Sequence, residues 1–144
     1  MGDNPGSENF GVRGATTMPR NLEPPKVVNT SDVEPIIRHP QGGGSDRPLI
    51  TGRTAGTEHI LFGLCTYAPG RGSQWHEHEE EDVFYIVSGR GTMYYEQGGE
   101  VKEIALKPED AVFSGYSKNY VKNTGDEPLV IAYAISPKDR YEKP

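Results

Sequence analysis

Two histidines one residue apart, His76 and His78, followed by Asp82, form the segment of this sequence with the clearest chemical potential. Side chains alternate between the two faces of a β-strand, so both imidazoles would lie on one face and could reach one ion. Asp82 has the same even parity, so its carboxylate enters the same interior if the intervening turn keeps register. Two His and one carboxylate form a facial triad around a metal and leave positions open for substrate, water or O₂. The spacing therefore predicts one divalent metal ion, with Fe, Mn, Ni, Zn and Cu all compatible with these ligands.

Other interpretations of the same residues stay open at this point. Two exposed histidines on an edge strand would give the same spacing. A β-bulge would make Glu81, instead of Asp82, the carboxylate ligand. His59 begins another apolar run, but its odd parity and its place at a strand end make it a minor candidate. The acidic run Glu77 and Glu79–Asp82 is otherwise typical of a solvated face, so we expect only its last member to face inward.

The elements that must position these residues are short apolar runs separated by turn residues. β-branched and aromatic residues concentrate in the runs, and no segment offers ten residues of helical period. The predicted strands are Lys26–Asn29, Val33–Arg38, His59–Tyr67, Asp82–Val87, Thr92–Glu96, Val101–Leu106, Ala111–Phe113, Asn119–Lys122 and Leu129–Ser136. Gln41–Ser45 is predicted as a loop and Gln97–Glu100 as a hairpin turn. Many short strands at close spacing indicate an all-β sandwich or barrel.

Composition limits the classes of partner. The chain has 144 residues, a net charge of −6 and no dense run of Lys or Arg, so we expect no nucleic-acid partner. No segment is apolar enough to cross a bilayer, and the N-terminus has no apolar signal-peptide core. Cys65 is the one cysteine, so no internal disulfide can form. We expect a cytoplasmic protein without a membrane partner.

The chain divides into an arm and one domain. Residues 1–25 are polar, rich in Gly and Pro and without period, which predicts a flexible N-terminal arm. Residues 26–144 are long enough for one domain with a real core and too short for two. We therefore expect a single β-barrel domain over 26–144.

The segment around the histidines resembles the first motif of the cupin superfamily. That motif is a glycine, five residues, His-x-His, three or four residues, a Glu, six residues and a glycine. This chain has Gly70, His76 and His78, Asp82 and Gly89 at those spacings, with Asp in place of Glu. The resemblance implies a jelly-roll barrel, the cupin double-stranded β-helix, with the metal in its mouth. It also implies a homodimer, since dimers are common in the family.

The second cupin motif is only partly similar. Asn123-Thr-Gly-Asp-Glu-Pro resembles its end, which puts Asn119 where the family has its last histidine ligand; a slip of one residue would put Tyr120 there. No histidine follows His78. The resemblance thus implies Asn119 in or near the fourth ligand position, with Tyr116 and Tyr120 as candidates for a catalytic acid or base. If the metal has been lost, Asn119 and the tyrosines would instead bind an organic ligand directly.

The resemblance does not select one activity, because the scaffold hosts many. We expect a metal-dependent enzyme acting on a small oxygen-bearing organic substrate, with dioxygenase-like chemistry first and lyase or isomerase chemistry close behind. The alternative is a non-enzymatic cupin that binds a small molecule at a degraded metal site.

Overall fold

The first described part of the chain has little regular structure. The computed structural model describes residues 22–39, 44–77 and 79–138, so most of the predicted arm at 1–25 lies outside the described residues. The strand predicted at Lys26–Asn29 is wrong. Asn29 instead caps a 3₁₀ turn at Thr30–Asp32, and its side chain accepts the backbone N–H of Ser31 at 2.9 Å. An Asn that satisfies a local N–H favours a turn over a strand.

The rest of the described chain is built almost entirely of strands, which confirms the all-β prediction. In chain order these are β1 (Ile36–His39), β2 (Gly44–Ile50), β3 (Leu61–Tyr67), β4 (His76–Glu77), β5 (Glu81–Ser88), β6 (Gly91–Gln97), β7 (Glu100–Leu106), β8 (Ala111–Phe113), β9 (Lys118–Lys122) and β10 (Leu129–Ser136). One short helix, α1 (Gly52–Ala55), follows β2.

The strands form two antiparallel sheets that enclose the core. One has the order β1-β2-β3-β10-β5-β8 and the other β4-β9-β6-β7. Their facing surfaces share one buried cluster: Tyr67, Phe84, Ile86, Met93, Leu106, Val121, Leu129 and Ile131. Burying each large aliphatic side chain contributes about 1.5–3 kcal/mol, so this cluster holds the two sheets together.

Strand β5 shows the alternation that the sequence predicted. Asp82, Phe84 and Ile86 are buried, whereas the residues between them are exposed. Because successive side chains of a strand point to opposite faces, one apolar run supplies both the core and the inward-facing carboxylate.

Strand β2 was not predicted. Gly44 and Ser45 belong to this strand rather than to the predicted loop Gln41–Ser45, whose first three residues lie outside the described residues. Pro48, which lacks the N–H of a sheet ladder, made the segment look like a loop. The structure accommodates it at an irregularity, where the register between β2 and β3 shifts between Pro48 and Ile50.

Candidate ligand cavity and metal centre

A cavity of about 620 Å³ opens between the two sheets. Its described lining residues are Ile36, Gly44, Ser45, Asp46, Cys65, Tyr67, Ser73, Gln74, Trp75, His76, Asp82, Phe84, Ser114, Asn119, Val121, Ile131, Tyr133 and Ile135. Apolar and polar side chains both contribute to this lining, and apolar walls with converging polar groups are typical of a small-molecule site. Three of the residues predicted from sequence, His76, Asp82 and Asn119, therefore face one cavity.

His76 is held by the short strand β4, which pairs with β9 so that His76 lies opposite Asn119. The Nδ1 atom of its ring is 2.7 Å from the backbone oxygen of Gln74. A carbonyl oxygen only accepts, so Nδ1 carries the proton and the lone pair of the neutral ring lies on Nε2. A histidine that donates one ring nitrogen to a backbone carbonyl is oriented as metal-bound histidines usually are.

Asp82 lies in the cavity wall on β5 and is 8% exposed. Its backbone oxygen accepts the N–H of Ser114 at 2.9 Å, which fixes the strand at this residue against the segment after β8. Glu81, the alternative ligand, is exposed. The alternation of β5 thus places the carboxylate of Asp82, and not that of Glu81, on the side of the cavity.

Asn119 is 2% exposed, and its hydrogen bonds define the orientation of its amide. The Ser117 hydroxyl donates to the backbone oxygen of Ser114 at 2.7 Å and accepts from Asn119 Nδ2 at 2.7 Å. Since the hydroxyl proton is already given to Ser114, the group of Asn119 that faces Ser117 must be the NH₂. The amide oxygen is therefore the atom on the opposite side of the amide group.

The predicted metal triad requires His78, which lies outside the described residues. Within 22–39, 44–77 and 79–138, no group of three or more His, Cys, Asp or Glu side chains is placed to hold a metal ion. His76 and Asp82 supply one imidazole and one carboxylate to the cavity, and Asn119 adds an amide. The triad as a whole stays a prediction.

Neither tyrosine predicted as a catalytic acid or base is among the described residues that line the cavity. Tyr116 is 67% exposed and makes an edge contact with Phe113, with ring centroids 6.0 Å apart. Tyr120 lies on the other face of β9 from Asn119 and stacks on Tyr94 at 4.6 Å. Burial, with Tyr94 nearby, raises the pKa of Tyr120 above its usual value. A raised pKa makes a phenol a weaker acid and leaves less phenolate to act as a base, and the structure brings neither tyrosine to the metal residues.

Two further sequence expectations can be compared with the structure. The minor candidate His59 lies away from the cavity: its side chain is 80% exposed, with Nε2 3.6 Å from the Glu58 carboxylate. In the acidic run, Glu77, Glu79 and Glu81 are exposed as expected. Glu80 is 3% exposed, so the expectation of a solvated side chain is wrong there. Glu80 lies in the bend that connects β4 to β5, next to Gly115.

Sequence reasoning missed a second polar group in the cavity, formed by Asp46 and Tyr133. Tyr133 Oη donates to Asp46 Oδ1 at 2.6 Å, and Asp46 is 4% exposed. The two residues are 87 positions apart in the sequence, and β2 was not predicted as a strand. The available signal was the parity of β10, which places Tyr133 on the same face as Ile131 and Ile135.

Asn123 anchors the end of β9 and is fully buried. Its NH₂ group donates to the backbone oxygens of Tyr67 at 2.9 Å and Glu127 at 2.7 Å, and its oxygen accepts the N–H of Gly125 at 2.9 Å. One side chain thus links the end of β3 to the turn before β10. This asparagine holds the scaffold behind the cavity, and Asn119 faces the cavity itself.

Comparison with known proteins identifies the family. Residues 63–135, just over half of the chain, match the family model Cupin_2, the cupin domain. The chain therefore belongs to the cupin family, and the predicted jelly-roll fold is confirmed. A predicted oxalate decarboxylase from Thermotoga maritima has the same fold, with a TM-score of 0.64, 24% identity, and coverage of 77% of this chain and 98% of that one.

Two curated relatives share sequence with most of the chain. Auxin-binding protein 1 of Arabidopsis thaliana is 29% identical over 118 residues, which are 78% of this chain and 59% of that protein. The tetracenomycin polyketide synthase protein TcmJ of Streptomyces glaucescens is 29% identical over 112 residues, 76% of this chain and 70% of that one. The chain spans about three fifths of the plant protein. In the described part of the chain, no helix has the length and apolar character needed to span a membrane.

Proposed function

We propose that this cupin is a metal-dependent enzyme acting on a small, oxygen-bearing organic substrate held in the barrel cavity. One observation carries the proposal: His76, Asp82 and Asn119 line the same cavity of about 620 Å³. The hydrogen bond from His76 Nδ1 to Gln74 adds support, because it leaves Nε2 as the ligand atom. A cavity of this size suits a molecule well above the size of a two-carbon acid.

His76, His78 and Asp82 would hold the metal, with the amide oxygen of Asn119 at or near a further position. When bound, a divalent ion there supplies Lewis acidity toward a carbonyl or enol oxygen, or activates water. Asn119, fixed by Ser117, orients an oxygen of the substrate or completes the ligand set. The apolar walls around Phe84 and Val121 exclude water from the bound substrate.

The charges of the cavity favour a neutral substrate. Its described lining residues include two carboxylates, Asp46 and Asp82, and neither Lys nor Arg is among them. A long dicarboxylate that reached both ends of the cavity would bring one of its charges beside the carboxylate of Asp46. At 24% identity, the structural similarity to an oxalate decarboxylase supports the shared fold alone, and we do not carry that substrate over to this chain.

Among reaction classes, oxygenase chemistry comes first and lyase or isomerase chemistry second. Ligation by two His and one carboxylate leaves room for a bidentate substrate and for O₂. The two classes differ in one measurable requirement, because only the oxygenase consumes O₂. Once a substrate is known, turnover that continues without oxygen would assign the protein to the second class.

A second candidate function is binding without catalysis. It is favoured by Asn119 at the position where the family has a histidine ligand, since an amide oxygen is a poor ligand for borderline metals. The relative named for binding auxin supports the same interpretation. A protein that binds no divalent metal would favour this candidate.

We also propose that the protein is a homodimer. The outer face of the six-stranded sheet carries exposed apolar side chains, among them Val83, Tyr85 and Phe113. Contiguous exposed apolar surface of this kind is a common mark of an interface. A twofold arrangement would bury the same face of both copies.

The metal assignment is tested by replacing one histidine at a time. His76→Ala and His78→Ala should each remove most of the bound metal from a protein that still folds, measured by elemental mass spectrometry and circular dichroism. His59→Ala is the matched control, because His59 is exposed and away from the cavity, and it should keep the full metal content. Full metal in either site variant would show that the assignment is wrong.

A further inference from the structure

Tyr133 extends away from the predicted metal residues. It lies on β10, diagonally across from Asp82 on β5, so the two side chains start roughly 7–8 Å apart. Its ring then crosses β3 at Gly63, where an added Cβ would lie 2.7 Å from Tyr133 Oη. Glycine is required at this position because the phenol passes directly over the backbone. The hydroxyl thereby reaches Asp46 on β2, on the far side of β3 from β10.

The hydrogen bond to Asp46 defines what Tyr133 can offer a ligand. A phenol has one proton, and Tyr133 gives it to Asp46 Oδ1 at 2.6 Å. Toward a molecule in the cavity, the phenol oxygen can therefore act only as an acceptor. A ligand hydroxyl can donate to it, whereas a ligand carbonyl or ether cannot. The nearby carboxylate of Asp46 adds a repulsion against any anionic group.

The two polar ends of the cavity are separated by apolar surface. Asp46 on β2 and Asp82 on β5 are three strand spacings apart, which is roughly 14 Å across the sheet. Phe84 and Ile131 line the cavity between them, and Trp75 lines it from the side of β4. A ligand that fills this space is apolar in its middle, where the rings of Phe84 and Trp75 favour an aromatic ring, and it carries oxygen at its ends.

We propose that the Asp46–Tyr133 pair selects aromatic ligands that carry a hydroxyl group, by accepting a hydrogen bond from that hydroxyl while the rest of the ligand extends toward His76 and Asp82. This inference rests on the proposed function, since it names the substrate class of the same cavity. The pair is a specificity element: it binds the end of the ligand that does not face the predicted metal residues.

The test compares three probes of nearly equal shape by isothermal titration calorimetry on the full-length protein. These are 2-naphthol, 2-methoxynaphthalene and 2-naphthoate. The wild-type protein should bind 2-naphthol at least about tenfold more tightly than the other two, because only the naphthol donates a hydroxyl hydrogen bond without bringing a charge. Equal affinity for 2-naphthol and 2-methoxynaphthalene would overturn the proposal, as would tighter binding of 2-naphthoate or no binding of 2-naphthol.

Variants connect the preference to the residues. In Tyr133→Phe, the ratio of the affinity for 2-naphthol to the affinity for 2-methoxynaphthalene should fall. In the double variant Asp46→Leu with Tyr133→Phe, which leaves no side-chain hydrogen-bond acceptor at either position, this ratio should drop below about threefold. A tenfold ratio that persists in the double variant would contradict the assignment. If these variants do not fold, the three-probe comparison on the wild type still decides the outcome.

Tyr67→Phe is the matched control. Tyr67 is a second cavity phenol that packs over a glycine, Gly44, on the neighbouring strand. Its hydroxyl interacts with Cys65 and Ser73, and burial, then Cys65, raises the pKa of Tyr67 far above its usual value. The change can weaken the binding of both neutral probes, but the ratio of their affinities should stay as in the wild type.

The same samples separate this inference from the proposed function. Each titration is run before and after treatment with a chelator, and metal content is measured each time. A protein that is already metal-free before the chelator treatment and shows the naphthol preference would contradict the metalloenzyme proposal alone. A metal-loaded protein with equal affinity for the two neutral probes would contradict only the selection by Asp46 and Tyr133.

Discussion

Asn119 is one of the residues at which the sequence predicts a departure from the family pattern, and its surroundings make that prediction testable. It lies opposite His76 in the pairing of β4 with β9 and faces the cavity. Replacing it with a nitrogen ligand should complete a stronger metal site. We predict that Asn119→His tightens metal binding by at least about tenfold, or ~1.4 kcal/mol, measured by competition with a chromophoric chelator.

Tyr120→His is the control for this change, because a slip of one residue in the motif would give position 120 the same role. Tyr120 lies on the opposite face of β9 and stacks on Tyr94, so a histidine there should not alter the metal affinity. An unchanged affinity in Asn119→His, or a gain in Tyr120→His, would contradict the geometry proposed for the site.

Asn123 differs from Asn119 in that it has a structural role, since all its described hydrogen bonds go to backbone groups. Asn123→Ala removes one buried and two part-buried hydrogen bonds and should lower the free energy of unfolding by about 2–4 kcal/mol in urea denaturation. The exposed turn cap Asn29 is the comparison: Asn29→Ala should cost less than about 1 kcal/mol. Equal losses in the two variants would mean that Asn123 does not hold β3 to the turn before β10.

At the scale of the element, the alternation of β5 decides which acidic residue faces the cavity. Asp82 is buried beside Phe84 and Ile86 on that side, whereas Glu81 is exposed. We predict that Asp82→Asn weakens metal binding by about tenfold to a hundredfold, because the amide lacks the charge of a ligand carboxylate. Glu81→Gln removes the same charge one residue earlier and should leave metal affinity unchanged. A larger effect of Glu81→Gln would indicate the β-bulge that the sequence left open.

The elements that the sequence predicted well are those in which burial follows a simple period. The run Asp82–Val87 lies within β5, and the hairpin at Gln97–Glu100 forms between β6 and β7 with positive φ at Gly98 and Gly99. β2 was missed because Gly44 and Pro48 are typical of loops when the neighbouring strands are unknown. Tertiary pairing with β1 and β3 outweighs that local preference.

The candidate site likewise has one part that the sequence predicted and one part that it did not. Local spacing was enough to predict that His76 and Asp82 face the same interior, and both line the cavity, because they lie within one short segment. The contact of Tyr133 with Asp46 spans 87 residues and depends on the order of strands in the sheet and on the missing side chain at Gly63. No period within one segment carries that information. The same limit applies to Tyr116 and Tyr120, whose faces are determined by pairing and turns that the motif does not specify.

At the scale of the whole molecule, the outer face of the six-stranded sheet is the surface proposed to form the dimer. Val83 and Tyr85 are 48% and 45% exposed there. We predict that Val83→Lys with Tyr85→Lys converts the protein to a monomer in light scattering without changing its metal content, since charges in an apolar interface oppose association. The control is Val101→Lys, on the exposed face of β7 in the other sheet, which should leave the dimer intact. A wild-type monomer, or a dimer that survives the double change, would contradict this interface.

The central claim is that the cavity between the two sheets holds a catalytic metal through His76, His78 and Asp82. It is tested most directly by elemental mass spectrometry of the untagged protein, purified without chelator, dialysed and then offered divalent ions. The account predicts close to one Fe, Mn, Ni, Zn or Cu per chain, retained after dialysis. A protein that is metal-free as isolated and takes up no divalent ion would contradict it, and the cavity would then be that of a binding protein.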